Sequence, residues 1–157
     1  MTSNNITSET MTAKASIRIK KPAAEVMAAI ASAEKMSQFW FARSDDGLKQ
    51  GESVTFTMGS GDSAFSFAVK IKELVFPRKL VFEWAGPDGH TTQVCWTCEE
   101  TENGDTILAI EESGFAGSDQ SIIARVIDST GGFNQVIVAA KACIEHDVAI
   151  NVVNDHA

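Results

Sequence analysis

Two adjacent carboxylates, Glu111 and Glu112, are the best candidates for chemistry in this sequence. They end a stretch of alternating polarity, which predicts that Glu111 faces outward and Glu112 inward. A carboxylate at the mouth of an apolar pocket can serve as a general acid or base, because desolvation favours its protonated form. The simpler expectation is that Glu112 ends its strand in solvent. Arg43 and Arg125 are both candidate ion-pair partners.

The cysteines and histidines are weaker candidates. Cys95 and Cys98 match a Cys-x-x-Cys string, but residues three apart on a strand point to opposite faces and cannot share a metal or a disulfide. Cys143, on a predicted helix, is expected to be a small buried hydrophobe. The histidines are scattered, with no carboxylate at ligand spacing, so we predict no metal site and no cofactor. They are His90, His146 and His156.

The composition limits the classes of partner. The chain has 157 residues, with 13 Lys and Arg against 21 Asp and Glu, for a net charge of −8. Nucleic acid and anionic membranes repel such a surface and are disfavoured as partners. No apolar run approaches the roughly 18 residues of a transmembrane helix. An odd number of cysteines without a disulfide framework suits a reducing compartment, so we expect a cytoplasmic protein.

The order of predicted elements is a strand, two short helices, an antiparallel meander and a long helix. Residues 1–12 are mostly Ser, Thr and Asn and predict a disordered tail, which leaves 13–157 as a single domain. Residues 14–20 alternate in polarity and predict the strand, and helical patterns follow at 23–33 and 32–41. The period then changes to two in five segments, which are 52–58, 64–75, 79–85, 91–99 and 106–113.

Apolar residues at spacings of three and four predict a helix over residues 130–146. Gly131 and Gly132 make an awkward start, because glycine is costly within a helix. The pattern can extend back to Ser121, which would give about 25 residues and about 37 Å. Such a helix requires a broad apolar partner, which the meander supplies. Three adjacent aromatic residues, at 39–41, cannot all be buried on one narrow face, so part of this cluster is expected to line a cavity.

Three stretches of the sequence resemble a known family. They are SIRIKKPAAEVMAAIAS at 16–32, FPRKLVFEW at 76–84, and TGGFNQVIVAAKACIEH at 130–146 followed by AINVVND. With the element order, they resemble the START-like (SRPBCC) superfamily, in the branch related to activators of the heat-shock-protein-90 ATPase. The resemblance implies an α+β helix-grip fold. In this fold a curved antiparallel sheet of six or seven strands wraps around a long C-terminal helix, with two short helices after the first strand.

The third stretch departs from the family pattern at two positions. Phe133 stands for a tryptophan of the family, and Ile137, Ala140 and Ile144 stand for its leucines. Alanine in place of leucine at 140 removes methylene groups from the helix face, which predicts a larger cavity beneath it. Asp147 replaces the glycine that usually stops the helix, which leaves the position of the helix end open.

The resemblance implies a cleft between the helix and the sheet, and apolar clefts with few polar groups are the usual ligand sites. We therefore expect binding of a hydrophobic small molecule, without catalysis. The alternative is that the same side chains fill a closed core. The predicted lining consists of Trp40, Phe56, Phe67, Phe82, Trp84, Trp96, Leu108, Ile110, Phe133, Val136, Ile137 and Ala140.

Two further functions stay open. One is a chaperone-interaction module with a role in stress response, as in the heat-shock-protein-90 activators that the chain resembles. The other is a cyclase- or hydrolase-like enzyme that uses Glu112, although the chain has no tyrosine to serve as a phenolic acid. No Ser-His-Asp, Cys-His or metal-binding constellation is recognisable in the sequence. The protein is expected to be a monomer or a homodimer joined through an edge strand.

Overall fold

The computed structural model describes residues 11–156. The predicted tail therefore lies almost entirely outside the described residues, although Met11 packs against the core. The elements in chain order are β1 (Ala13–Ile19), α1 (Ala23–Ala31), α2 (Ala33–Phe39), β2 (Ser53–Met58), β3 (Phe65–Val75), β4 (Lys79–Ala85), β5 (Thr91–Glu100), β6 (Thr106–Ser113) and α3 (Asp119–His146).

All six strands form one antiparallel sheet in the order β1-β6-β5-β4-β3-β2. Strands β2 to β6 pair in sequence as a meander, and β1 joins the far edge by pairing with β6. A register shift between Ile71 and Glu73 bends β3. The predicted α+β helix-grip fold is confirmed, with a curved sheet of six strands, a long C-terminal helix and two short helices after the first strand.

Strand β5 shows the predicted alternation clearly. Trp96 and Cys98 are buried on the inner face, whereas Cys95 and Thr97 are only partly buried on the other face. The two thiols of the Cys-x-x-Cys string therefore point to opposite faces, as the spacing predicts.

The chain leaves α2 at Trp40, whose φ of −146° and ψ of −140° are not helical. Because successive side chains then point in different directions, Phe39, Trp40 and Phe41 are all buried. All three rings are therefore buried, on different faces, and part of the cluster, Trp40 and Phe41, lines a cavity as predicted.

Helix α3 begins eleven residues before the predicted start at residue 130. Ser118 caps it, with its side-chain oxygen accepting a hydrogen bond from the backbone N–H of Ser121 at 3.2 Å. Its 28 residues span about 42 Å. Gly131 and Gly132 lie in the middle of the helix rather than at its start, and a Cβ atom at either position would meet open space. Burial of the apolar residues on both sides, Val126 and Phe133 among them, outweighs the cost of the two glycines.

Asp147 ends α3 in the conformation that the family's glycine normally adopts. Its φ of 54° and ψ of 38° are left-handed. The N–H of Asp147 donates to the carbonyl of Cys143 at 3.0 Å, and the N–H of Val148 donates to that of Ala142 at 3.3 Å. These bonds satisfy the last carbonyls of the helix, so its end stays at the family's position despite the substitution.

After α3, residues 147–156, here called the C-terminal segment, return along the molecule. Val152 and Val153 pack, half buried, against the core. The backbone N–H of Gly59, in the turn between β2 and β3, donates to the side-chain oxygen of Asn154 at 2.8 Å. The segment is therefore attached to the opposite end of the sheet from β1. None of the described helices has the length and apolarity needed to cross a membrane.

Candidate functional site

A cavity opens between the amino-terminal half of α3 and the end of the sheet formed by β2, β3 and β4. It has two adjoining lobes, with volumes of about 500 Å³ and about 340 Å³. The lobes share Phe41, Met58, Trp84 and Asp128 in their linings. Volumes of this size are typical of small-molecule sites.

Each lobe is named here after one of its residues. The Glu112 lobe is lined by Phe41, Met58, Phe65, Phe67, Trp84, Ala85, Gly86, Pro87, Glu112, Ala124, Arg125 and Asp128. The Phe133 lobe is lined by Trp40, Phe41, Met58, Trp84, Asp128, Ser129, Gly132, Phe133, Gln135, Val152, Val153 and His156. The C-terminal segment thus forms one wall of the Phe133 lobe.

Four of the predicted lining residues lie on the wall of this cavity: Trp40, Phe67, Trp84 and Phe133. The prediction is not supported for the other eight, which are almost completely buried in the core and lie outside both lobes. These are Phe56, Phe82, Trp96, Leu108, Ile110, Val136, Ile137 and Ala140.

The Trp40 ring explains why the predicted central part of the cleft is closed. Its centroid lies 5.6 Å from that of Phe56, 6.1 Å from that of Phe82 and 5.4 Å from that of Trp96. Aromatic rings pack favourably at these distances, so one side chain fills the space above the middle of the sheet. Ala140 is fully buried and lines neither lobe, so the cavity does not extend beneath it as predicted.

Several lining residues were not predicted, although the sequence pattern does indicate the orientation of two of them. Met58 and Phe65 continue the inward-facing pattern of β2 and β3 beyond the covered part of the sheet, so they stay 37% and 59% exposed. The alternation therefore indicated their face correctly. Arg125 and Asp128 come from the part of α3 that only the extension of the helical pattern back to Ser121 covers, and the predicted lining used no residue from that part.

Glu112 faces inward, as its alternation predicts, and is completely buried. The expectation that it ends its strand in solvent is wrong, because Phe115 and α3 cover this end of β6. Its Oε2 accepts hydrogen bonds from Trp84 Nε1 at 2.9 Å and from the Thr92 hydroxyl. The other carboxylate oxygen, Oε1, is buried and has no hydrogen-bond partner within residues 11–156.

Arg125 is the cation that pairs with Glu112, with Nη2 3.5 Å from Oε2. Its guanidinium lies 5.2 Å from the centroid of the Phe115 ring and also contacts Asp88, 3.4 Å away. The backbone N–H of His90, together with the Arg125 charge, holds the pKa of the Asp88 carboxyl below its usual value, against the effect of desolvation. A Cβ atom at Gly86 would lie within 3 Å of the guanidinium, so a side chain at that position would require Arg125 to move.

Arg43, the other candidate partner of Glu112, pairs elsewhere. Its buried side chain binds Asp45 through Nη2–Oδ1 at 2.6 Å and Nε–Oδ2 at 2.9 Å. It also donates to the backbone carbonyls of Ile30 and Ala31, at the end of α1. Arg43 therefore stabilises the junction between α1 and the loop before β2, and the prediction that it pairs with Glu112 is wrong.

The thiols show no sign of reactivity. Burial raises the pKa of the Cys98 thiol to about 12, and also raises the pKa of Cys95 and of Cys143. A thiol with a raised pKa carries little thiolate, which is the nucleophilic form. No group of three metal-ligating side chains is found in the part of the chain that the structure describes.

A curved antiparallel sheet, a long C-terminal helix and a cavity between them define a protein of the START-like class. The sequence matches the family described as Activator of Hsp90 ATPase homolog 1-like protein over residues 20–140. The chain therefore belongs to this family, and the resemblance found in its sequence is confirmed. No curated protein matches the chain.

Solved structures share the fold at low sequence identity. SSP2350 from Staphylococcus saprophyticus is 20% identical, with a TM-score of 0.69 over 89% of this chain and 96% of that one. The Aha1 dimer from Colwellia psychrerythraea is 16% identical, with a TM-score of 0.67 over 86% and 96%. DynU16, from the dynemicin biosynthetic locus, is 20% identical, with a TM-score of 0.73, and the match spans 88% of this chain but 48% of that one. These likenesses show the fold alone.

Proposed function

We propose that this protein binds a hydrophobic small molecule in the cavity between α3 and strands β2–β4. The observation that carries the proposal is the exposed aromatic and aliphatic wall of the Glu112 lobe. Phe65 and Met58 are 59% and 37% exposed there, beside the half-buried rings of Phe67 and Trp84. Clustered exposed apolar side chains beside a concave surface are characteristic of ligand sites.

The free energy available from covering this wall is substantial. Burying one large apolar side chain contributes about 1.5–3 kcal/mol. Met58 and Phe65 keep 37% and 59% of their surface exposed in the folded protein, so covering each one would contribute about that fraction of this value. A ligand of matching shape would remove this apolar surface from water without displacing any core side chain.

The test uses the matched glycines of α3. Gly132 lines the Phe133 lobe, whereas Gly131 lies outside both lobes, and both positions have open space for a side chain. The wild-type protein is titrated with a library of aromatic and aliphatic compounds, followed by thermal unfolding and by tryptophan fluorescence. A ligand at one hundred times its Kd adds about 2.7 kcal/mol to the free energy of unfolding.

Gly132→Phe is expected to fill part of the Phe133 lobe and weaken binding of compounds that reach this lobe by about tenfold or more. Gly131→Phe is the control and should bind them as the wild type does. Trp84→Phe should remove most of the fluorescence response to compounds in the Glu112 lobe, since Trp84 lines that lobe whereas Trp40 lines only the Phe133 lobe and Trp96 lines neither. The proposal fails if no compound in the library shifts the unfolding temperature of the wild-type protein at saturating concentration.

A second candidate function is interaction with a chaperone. The family description refers to activators of the Hsp90 ATPase, and one structural neighbour is an Aha1 dimer. Val75 and Phe76, at the turn between β3 and β4, are 37% and 55% exposed and offer an apolar contact outside the cavity. Measuring Hsp90 ATPase activity with increasing amounts of this protein tests the idea. Stimulation that Phe76→Ser reduces would support it, and an unchanged rate at saturation would refute it.

A further inference from the structure

We infer that the ligand has an aromatic body and one hydrogen-bond donor, a hydroxyl or an ammonium group, which binds Oε1 of Glu112. This inference rests on the proposed function, since it assigns the chemical class of the molecule held in the Glu112 lobe. It predicts which functional groups on a ligand strengthen binding in the Glu112 lobe and which weaken it.

The two oxygens of the Glu112 carboxylate differ in their hydrogen bonds. Oε2 receives the Trp84 indole N–H, the Thr92 hydroxyl and, at longer distance, the Arg125 guanidinium. These contacts fix the side chain in one orientation. Oε1 has no donor among residues 11–156 and is shielded from solvent, and Glu112 forms part of the wall of its lobe, so a ligand donor must shift that wall slightly to reach Oε1. A buried acceptor without a partner is costly, so a donor on the ligand would recover that cost.

The charged side chains of the Glu112 lobe disfavour an acidic ligand. Its ionisable lining consists of two carboxylates, Glu112 and Asp128, and one guanidinium, Arg125. The guanidinium is already shared between Glu112 and Asp88. A ligand carboxylate entering the lobe would therefore face like charges without a free cation, whereas a neutral hydroxyl or an ammonium group would not. The lobe should reject fatty acids and aromatic acids on this ground.

The aromatic wall of the Glu112 lobe favours a ligand with an aromatic ring system. The rings of Phe41, Phe67 and Trp84 line the lobe and pack edge to face against one another, with centroids 5.2–6.0 Å apart. Each of these contacts uses the edge of one ring and the face of another, and the ring of Phe65, which lines the same lobe, stays 59% exposed. A flat aromatic body can then stack on the faces that remain uncovered.

A matched series of naphthalene derivatives tests the inference. The probes are 2-methylnaphthalene, 2-naphthol, 2-naphthylmethylamine and 2-naphthoic acid, which share one ring system and differ in a single group. Dissociation constants are measured by titration calorimetry or tryptophan quenching. In the wild-type protein, 2-naphthol and 2-naphthylmethylamine should bind about tenfold or more tightly than 2-methylnaphthalene, because a hydrogen bond to a charged group has about this effect. The acid should bind more weakly than 2-methylnaphthalene.

Glu112→Gln is the decisive variant. The amide oxygen can take the donors that now reach Oε2, which turns an NH₂ group toward the lobe in place of the free acceptor. The preference for 2-naphthol and 2-naphthylmethylamine should disappear, while the affinity for 2-methylnaphthalene stays within about twofold of wild type. Glu111→Gln is the control, because it makes the same change on the outer face of the same strand, outside both lobes, and leaves Glu112 intact. It should leave the affinity for 2-naphthol unchanged.

The outcomes separate the inference from the proposed function. If 2-methylnaphthalene binds but the donor-bearing probes bind no more tightly, the inference is overturned and the proposed function stands. If none of the four probes binds and the wider library also fails, the proposed function is refuted and the inference with it. Should Glu112→Gln fail to fold, the ranking of the four probes by the wild-type protein decides alone.

Discussion

Arg43 and Glu112 are the two buried charged residues in the described part of the chain, and their roles differ. Arg43 finds its carboxylate partner only two residues away, at Asp45, and uses its other donors on the carbonyls that end α1. Glu112 accepts hydrogen bonds at Oε2 from three distant parts of the chain, whereas its Oε1 has no hydrogen-bond partner among residues 11–156. A fully satisfied buried ion indicates a structural role, whereas a partly satisfied one beside a cavity indicates binding.

The structural role of Arg43 predicts a large loss of stability on substitution. Arg43→Met removes the donors of Asp45, Ile30 and Ala31 together, so the free energy of unfolding should fall by about 3 kcal/mol or more. Urea denaturation followed by fluorescence measures the change. Lys49→Met is the control, because Lys49 forms an exposed pair with Asp46 and its loss should have no measurable effect. Equal stability of the Arg43→Met protein and the wild type would disprove the assignment.

The stabilisation that the Arg43–Asp45 pair contributes to this junction depends on pH. The hydrogen bond from Arg43 lowers the pKa of the Asp45 carboxyl below its ordinary value of 3.8, against the opposing effect of burial. Because the folded-state pKa is the lower one, the stabilisation is present above about pH 4 and is lost as the pH falls through the folded-state pKa. Asp45→Asn should therefore be less stable than wild type at pH 7, and the difference should shrink below pH 4. A difference that is constant from pH 7 to pH 3, in urea titrations, would contradict this account.

At the scale of the element, α3 divides into two halves with different tasks. Its carboxyl-terminal half packs closely, with Val136, Ile137 and Ala140 buried. Its amino-terminal half, which includes Arg125 and Gly132, borders the cavity instead. The same helix thus closes the core at one end and borders the cavity at the other.

Two substitutions in α3 should therefore have opposite effects on stability. Ala140→Leu restores the residue type of the family pattern but adds volume where the helix already packs without space, so the free energy of unfolding should fall by about 1–3 kcal/mol. Gly131→Ala places a methyl group in open space within a helix and should raise it by about 0.5–1 kcal/mol. Chemical denaturation compares both with the wild type. A stabilising leucine at 140 would instead reveal unfilled space beneath the helix.

The sequence predicted the helices and strands more accurately than the cavity, because alternating polarity along a strand indicates only which face of the sheet a residue occupies. Alternation assigns each strand residue to a face, so Trp96, Glu112 and Met58 were all placed on the correct side of the sheet. It cannot report where along that face the helix makes contact. That position depends on the length of α3, which two glycines obscured, and on how Trp40 fills the space beneath it.

At the scale of the whole molecule, the cavity lies at the β2 end of the sheet, far from the β1 edge that α3 covers. Part of the β2 edge is also covered, because Ala42 exchanges two backbone hydrogen bonds with Thr57 at 2.9 and 3.0 Å. This pairing leaves less free edge for a second copy of the chain, so a homodimer through β2 stays a prediction. The C-terminal segment covers the remaining opening beside α3 and connects the end of the chain to the site.

Because the C-terminal segment forms one wall of the Phe133 lobe, it should slow the escape of a bound ligand. Ending the chain after Ile150 removes Val152, Val153 and the bond from Gly59 to Asn154. Contacts from two half-buried valines are worth about 1 kcal/mol each, so a ligand that reaches this lobe should dissociate about thirtyfold faster. Stopped-flow displacement of a bound probe measures the rate.

Asn154→Ala is the matched control for this truncation, because it removes the attachment to Gly59 but keeps both valines. Its dissociation rate should lie between those of the wild type and the truncated chain. Equal rates in all three proteins would show that a ligand leaves through the Glu112 lobe, past Phe65, without crossing the C-terminal segment. A faster rate in the truncated chain, with the wild-type preference for donor-bearing probes retained, would show that the two lobes act separately: one selects the ligand and the other retains it.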